Sequence, residues 1–308
     1  MSTVTHVGEE STRAKAVTLP DMGGKSSGRA IKDQAARIVM WSAFVIAVIQ
    51  LVWILVSTLL KGGHMIASVD WWTLSQNGVT ARREGGGAAH AIQGTLIQGA
   101  VTALMSVPIG VLTAIYLVEY GRGRFAKAVS FMVDILTGVP SIVAALFIYA
   151  LWVTTFGFQR VPFAVTLALV LLMIPTIVRS TEEMLKLVPD ELREASYALG
   201  VPKWKTITSV VIPTALSGMI SGIFLALARV MGETAPVLIL VGYTASYNYD
   251  LFQGNMASLP LLIYNQLSNP NDAGQYRIWG AALTLILIIA LANVLAAFAS
   301  KALAPKTK

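Results

Sequence analysis

The chain has 308 residues, 55% of them hydrophobic and 13% charged, about half the charged share of a soluble domain. Its apolar residues run in blocks too long for a buried core helix, which excludes a water-soluble globule and makes lipid the main solvent. The net charge of +7 fits an orientation signal better than nucleic-acid binding, because Lys and Arg gather in alternate loops.

Residues 1–37 form a polar tail, expected to be cytoplasmic and disordered. Gly23-Gly24-Lys25-Ser26 within it is similar to the end of a nucleotide-binding loop. Leu19 stands where that loop needs a glycine and no strand precedes it, so nucleotide binding by this chain is not expected. The first apolar stretch is long enough to span and lacks a small-residue cleavage site, so no cleavable leader is expected.

Six spans follow, at about 38–60, 92–118, 129–156, 163–178, 214–242 and 279–302. Each satisfies its backbone hydrogen bonds internally as a helix, which hydrocarbon requires. The predicted fold is an all-α polytopic membrane protein. Of the 23 Lys and Arg residues, 17 fall in the tail, the loops after the second and fourth spans, and the C-terminus. Five lie on the opposite side and Arg229 lies inside the fifth span. The positive-inside rule then makes both termini cytoplasmic.

Trp71-Trp72, after the first span, are expected at the headgroup layer. Pro108, Pro140 and Pro175 should kink the second, third and fourth spans. Gly218 and Gly222 give the fifth span a small-xxx-small spacing, for which packing inside the bundle is the better reading over dimerisation. Cysteine is absent, and His6, His64 and His90 are widely spaced. No carboxylate pair or hydrolase motif occurs in the spans, so neither catalysis nor a metal site is expected.

The longest polar interruption on the cytoplasmic side runs over 179–210. Asp190 suits the N-cap of a helix over 191–199. Gly200 can take positive φ and end it, and Pro202 can open the next helix. Two short helices meeting at a turn between membrane spans read as a docking surface; an interfacial amphipathic helix needs less of this spacing. Glu194-Ala195-Ser196, Gly200, Val210, Ile212 and Pro213 keep every offset of the EAA loop of bacterial ABC importer permeases, which this segment resembles. The departures are Ser196 for an alanine, Val210 for an isoleucine and Ile212 for a leucine.

In the fifth span, Arg229 and Glu233 are four apart and so share a helix face. A charge at membrane depth costs about 2.5–3.5 kcal/mol even on lenient scales, so such residues face a bundle interior or a wet path. Chemistry alone leaves two readings even: a self-neutralising structural pair, or an anion site built on the guanidinium fork. The run Arg229-Val230-Met231-Gly232-Glu233-Thr234 followed by Ala235-Pro236 is similar to the matching region of phosphate importer permeases of the PstA type. Ala114-Ile115-Tyr116-Leu117-Val118-Glu119-Tyr120, Gly138-Val139-Pro140-Ser141 and Ser258-Leu259-Pro260 fit the same family.

The resemblance covers about 91–302 and implies a six-helix permease domain within 38–308, in the inner membrane of a bacterium. It implies a PstC-like second permease, two PstB-like ATPases that hold the ATP-Mg, and a PstS-like extracytoplasmic binding protein. The chain itself would hold no cofactor and would not be an enzyme. Arg229, Glu233 and Thr234 would line the path of inorganic phosphate; Glu194, Ala195, Ser196, Gly200 and Pro213 would form the ATPase-coupling loop. The alternatives are a permease for sulfate or molybdate, or an ion-coupled secondary transporter, which broken helices and an intramembrane charge pair also suit.

Overall fold

A computed structural model describes residues 27–83 and 85–303. The expected disordered tail up to residue 26, with its glycine-lysine motif, lies outside the described residues. Helix α1 is Ser27–Ile66, so helix begins eleven positions before the predicted span at 38. Nothing from Ala30 to Arg37 breaks a helix: the stretch holds no Pro or Gly.

Contacts divide the chain after Leu55. The part of α1 up to Leu55 exposes its apolar side chains, Trp41, Phe44 and Trp53 among them, as a helix in lipid does. The second unit, from Val56 on, holds a short helix α2 (Val69–Thr73) and then the bundle. Helix α3 (Ala89–Ile115) runs into a π-helical turn, Tyr116–Tyr120. Helices α4 (Gly123–Gly138) and α5 (Ser141–Ile148) follow, the latter extended by a second π-helical stretch, Tyr149–Thr155.

The predicted third span is this α4–α5 pair, bent by 107° at the break. Pro140 has no N–H to donate, and its ring holds Val139 in extended backbone (φ −71°, ψ 124°). Pro140 then starts a fresh helix by accepting from the Val143 and Ala144 amides. Five other helices are long and apolar enough to cross a membrane. Among the described residues there is no β-strand.

Helix α6 (Pro162–Lys186) is the bundle axis. It is the most buried of the spanning helices, and it packs on α3, on α5, and on α9 (Ile212–Met231). Ala164, Ala168, Met173 and Ile177 are fully enclosed along it. It continues eight residues past the predicted end at 178. Glu182 pairs with Arg179 at 2.5 Å and with Lys186 at 3.5 Å, and such i,i+3 and i,i+4 pairs carry a helix out of the apolar region. Pro108 and Pro175 lie inside continuous helices.

Small residues set the helix spacing. A Cβ at Gly222 would lie 2.5 Å from Ser180 Oγ, one at Gly110 would lie 2.7 Å from Ile177 Cγ2, and one at Gly218 would overlap Met184. The Gly218–Gly222 spacing therefore serves contact with α6 inside the chain, as the sequence suggested.

Helix α10 (Ala235–Leu240) ends at the loop 241–258, and α11 (Leu259–Gln266) leads to the last helix, α12 (Asp272–Leu303). The two tryptophans after α1 divide their roles, contrary to the expectation that both sit at the headgroups. Trp72 is exposed, but Trp71 is enclosed and donates its indole N–H to Thr284 Oγ1 on α12 at 2.8 Å. A buried indole needs an acceptor, and α12 supplies one.

Candidate docking and substrate sites

The polar segment folds as the predicted pair of short helices, α7 (Asp190–Ala198) and α8 (Lys203–Thr206), the latter followed by a π-helical turn, Ile207–Val211, that runs into α9. Its start differs from expectation. Pro189, not Asp190, holds the N-cap position, with extended φ/ψ and no side-chain cap. Asp190 and Glu191 instead lie in the first turn, where they favour the helix dipole. Gly200 takes φ +75°. Its amide donates to Tyr197 O and the next amide, on Val201, donates to Ser196 O, which closes the helix end.

Glu194, Ala195, Leu192, Tyr197 and Leu199 are exposed along α7, and Trp204 is exposed on α8. Ser196 points the other way: it is buried, and its hydroxyl meets Thr206 Oγ1 at 2.9 Å. The serine that departs from the usual alanine thus ties α7 to α8. Pro213 lies in the first turn of α9, where a missing N–H costs nothing.

The loop is also tied to the end of α3 by residues whose role the sequence reading missed. Glu119, in the π-helical turn, is buried, and its Oε1 accepts from Arg193 Nη2 at 3.1 Å and Arg193 Nε at 3.2 Å. Arg193 further donates to the carbonyl of Leu185 (3.0 Å) in the last turn of α6, to that of Val188 (2.6 Å) just past it, and to Asp190 at 2.9 Å. Lys203, from α8, donates to the Glu119 carbonyl, and its ammonium lies 4.8 Å from the centre of the Tyr120 ring. A carboxylate closing an apolar span is the one signal in the sequence that pointed here.

A second ionic knot joins α4 to α6: Arg179 reaches Asp134 and the Ser130 hydroxyl and carbonyl.

The candidate substrate-path residues are arranged differently from expectation. Helix α9 ends at Met231, with Gly232 as C-cap and the chain running non-helically through Glu233 and Thr234 before α10. Arg229 and Glu233 thus do not share a helix face. The Gly232 amide donates to Arg229 O at 3.3 Å and the Glu233 amide donates to Val230 O at 3.1 Å, a tightened last turn. Arg229 is exposed in the last turn of α9, Glu233 and Thr234 are half-buried, and no ion pair joins Arg229 to another described residue. A self-neutralising pair is therefore absent within the described chain.

At the loop end of the bundle, Tyr243 is half-buried between α3 and the loop after α2. Its hydroxyl donates to Gln76 Oε1 at 3.1 Å and meets His90 Nε2 at 3.3 Å. Burial pushes its phenol up to about 12.

Apolar spanning helices with a polar helix pair set between two of them define a multi-pass membrane protein. Comparison with known proteins gives the same answer. The family model described as binding-protein-dependent transport system inner membrane component matches residues 106–308. The phosphate transport system permease protein PstA of Mycobacterium leprae is 58% identical over 269 residues, 87% of this chain and 88% of that protein. PstA 1 of Mycobacterium tuberculosis H37Rv is also 58% identical, over 87% of each chain. Among solved structures, a bacterial alginate ABC transporter in complex with its alginate-bound periplasmic protein matches with a TM-score of 0.61 at 14% identity, over 86% of this chain and 94% of that one; at that identity it speaks for the fold alone. The chain belongs to the binding-protein-dependent transport system inner membrane component family, and within it to the PstA-type permeases of the bacterial plasma membrane.

Proposed function

We propose that the chain is the permease subunit of an ATP-driven phosphate importer, with Arg229, Glu233 and Thr234 on the substrate path and the α7–α8 pair as the seat of a cytoplasmic ATPase. In this reading a PstC-like permease completes the path and a PstS-like protein delivers inorganic phosphate from outside. Two PstB-like ATPases hold ATP-Mg, so hydrolysis happens on other chains. Both termini and the α7–α8 loop face the cytoplasm.

The observation that carries the path assignment is the state of Arg229. An exposed guanidinium with no carboxylate partner among the described residues, standing at a helix break inside an apolar chain, needs an anion or water to justify its cost. Its planar fork matches phosphate oxygens. Glu233, close along the chain, offers an acceptor for the remaining proton of monohydrogen or dihydrogen phosphate. A single arginine with one carboxylate nearby makes a weak site, which suits passage better than capture.

For the docking surface, the support is the outward set of α7: a carboxylate, small residues and aromatic edges, all exposed on a helix fixed from behind by Ser196 and Arg193.

The test is labelled phosphate uptake in phosphate-starved cells that lack this chain, rescued by wild type or Arg229→Gln at equal membrane abundance. Rescue by wild type alone is the expected result. Arg229→Lys should rescue in part, since it keeps the charge and loses the fork. Full rescue by Arg229→Gln would remove Arg229 from the path, and failure of the wild type would point to sulfate or molybdate.

A further inference from the structure

The candidate ATPase seat is joined through the chain to α6 and to α9, and it has a further fastening, to α3, that is independent of the covalent ones. The chain itself joins α8 to α9 through the π-helical turn Ile207–Val211. The other fastening is ionic, and it is buried. Glu119 and Arg193 have side chains 4% and 13% exposed, far below the exposure at which an ion pair is screened into insignificance. Two nitrogens of Arg193 share one Glu119 oxygen, while the remaining donors hold the carbonyls of Leu185 in the last turn of α6 and of Val188 just past it. Lys203, from the other short helix, reaches the same turn of α3 by a different route. Both halves of the loop therefore grip Glu119–Tyr120.

The gripped turn is π-helical. Such a turn carries an extra residue in its ring and is less well bonded than the α-helix before it, so it is a place where a span can yield. A force on the loop reaches α3 there, and α3 is packed along the central helix α6.

We infer that Glu119, Arg193 and Lys203 form a latch that makes the α7–α8 loop and the end of α3 move as one body, so that ATPase motion is handed to α3 as well as to α9. Arg193 and Glu119 are positioning residues: they touch neither substrate nor ATP. The inference rests on the reading of α7–α8 as the ATPase seat, and the experiment separates the two.

The complete importer is reconstituted in proteoliposomes with its binding protein. The chain has no native cysteine, so Ala198→Cys gives a single thiol on α7 for crosslinking to the ATPase. The crosslink reports docking; phosphate taken up per ATP hydrolysed reports coupling. In Glu119→Gln the crosslink and ATP hydrolysis without binding protein should persist, while phosphate per ATP falls by about tenfold, the range typical of lost coupling between sites. Glu119→Asp, which keeps the carboxylate that Arg193 donates to, should recover part of that ratio, which a merely structural loss would not.

Should Glu119→Gln fail to accumulate, a second measurement decides. Tyr120→Cys and Lys203→Cys, bridged by a short bis-maleimide, fix the loop to the turn. A latch that moves as one body predicts that the bridged protein transports as well as the unbridged one. A wild-type ratio in Glu119→Gln, or loss of transport on bridging, would overturn the latch while leaving the docking reading intact. No crosslink from Ala198→Cys in the otherwise unaltered chain would overturn the docking reading, and the latch with it.

Discussion

Tyr243 shows how much one side chain can hold at the loop end of the bundle. Its hydroxyl is the meeting point of α3, through His90, and of the loop after α2, through Gln76. Gln266, at the end of α11, donates to the same Gln76 oxygen at 3.3 Å. Removing the hydroxyl leaves the buried His90 Nε2 unpaired and takes one of two donors from Gln76 Oε1, which costs about 1–3 kcal/mol. Tyr243→Phe should therefore lower the melting temperature of the purified protein, and a thermal scan in detergent reads it. The pH dependence follows from burial. A phenol raised from 10 to about 12 stabilises the fold fully below pH 10, and that contribution is lost as pH rises from 10 through 12. Wild type should lose stability across that window more steeply than Tyr243→Phe. Equal slopes would show that the ring is hydrated in solution.

Helices were the most legible scale, because hydropathy and length are written in consecutive residues. The apolar blocks located every spanning helix, and Gly200 located the turn between α7 and α8 by its φ alone. Less legible were features that depend on what lies across the bundle. Pro140 announced a break but not a 107° bend, since the angle is set by how α4 and α5 each pack on α6. Trp71 reads as an interfacial anchor until Thr284 appears beside it, 213 positions away. Arg229 and Glu233 looked like neighbours on a helix; Gly232 stops the helix between them. The Glu119–Arg193 pair was hidden for the same reason, two charges 74 positions apart that the pattern of either segment leaves unexplained. Packing at the helix scale makes its own prediction. A Cβ at Gly94 would overlap the Ala257 carbonyl oxygen, a backbone atom that cannot step aside, whereas nothing lies within 4 Å of one at Gly63. Gly94→Ala should destabilise the purified protein by about 1–3 kcal/mol, and Gly63→Ala, inside helix α1, should be neutral or stabilising by up to about 1 kcal/mol. Matched thermal scans would settle it, and similar values for the two would mean that α3 shifts freely against the loop before α11.

At the scale of the whole molecule, what distinguishes this chain from a passive bundle is that its polar surface is concentrated and anchored. The α7–α8 loop shows apolar and aromatic edges outward and hides its polar bonds inward. A lipid-facing helix would present its charges to the headgroups and would have no reason to bury an arginine on a glutamate from another span. The geometry at Gly200 turns this into a decisive test of docking. Its φ of +75° is one that a β-branched residue rarely adopts, yet nothing lies within 4 Å of a Cβ there. Gly200→Val therefore strains the turn without a clash, at a cost of about 1–3 kcal/mol that falls on the angle between α7 and α8. The helices α3, α4, α5 and α9, which α6 holds together, should assemble normally. We expect the Gly200→Val permease to reach wild-type abundance in the membrane and to lose most of its co-purifying ATPase. Gly200→Asn, whose side chain tolerates the left-handed region, should keep it. If both variants retain the ATPase equally, the angle of the turn is irrelevant to docking and the seat must lie on another face; if both lose it, any side chain at this position is itself in the way, and the partner approaches within contact of Gly200.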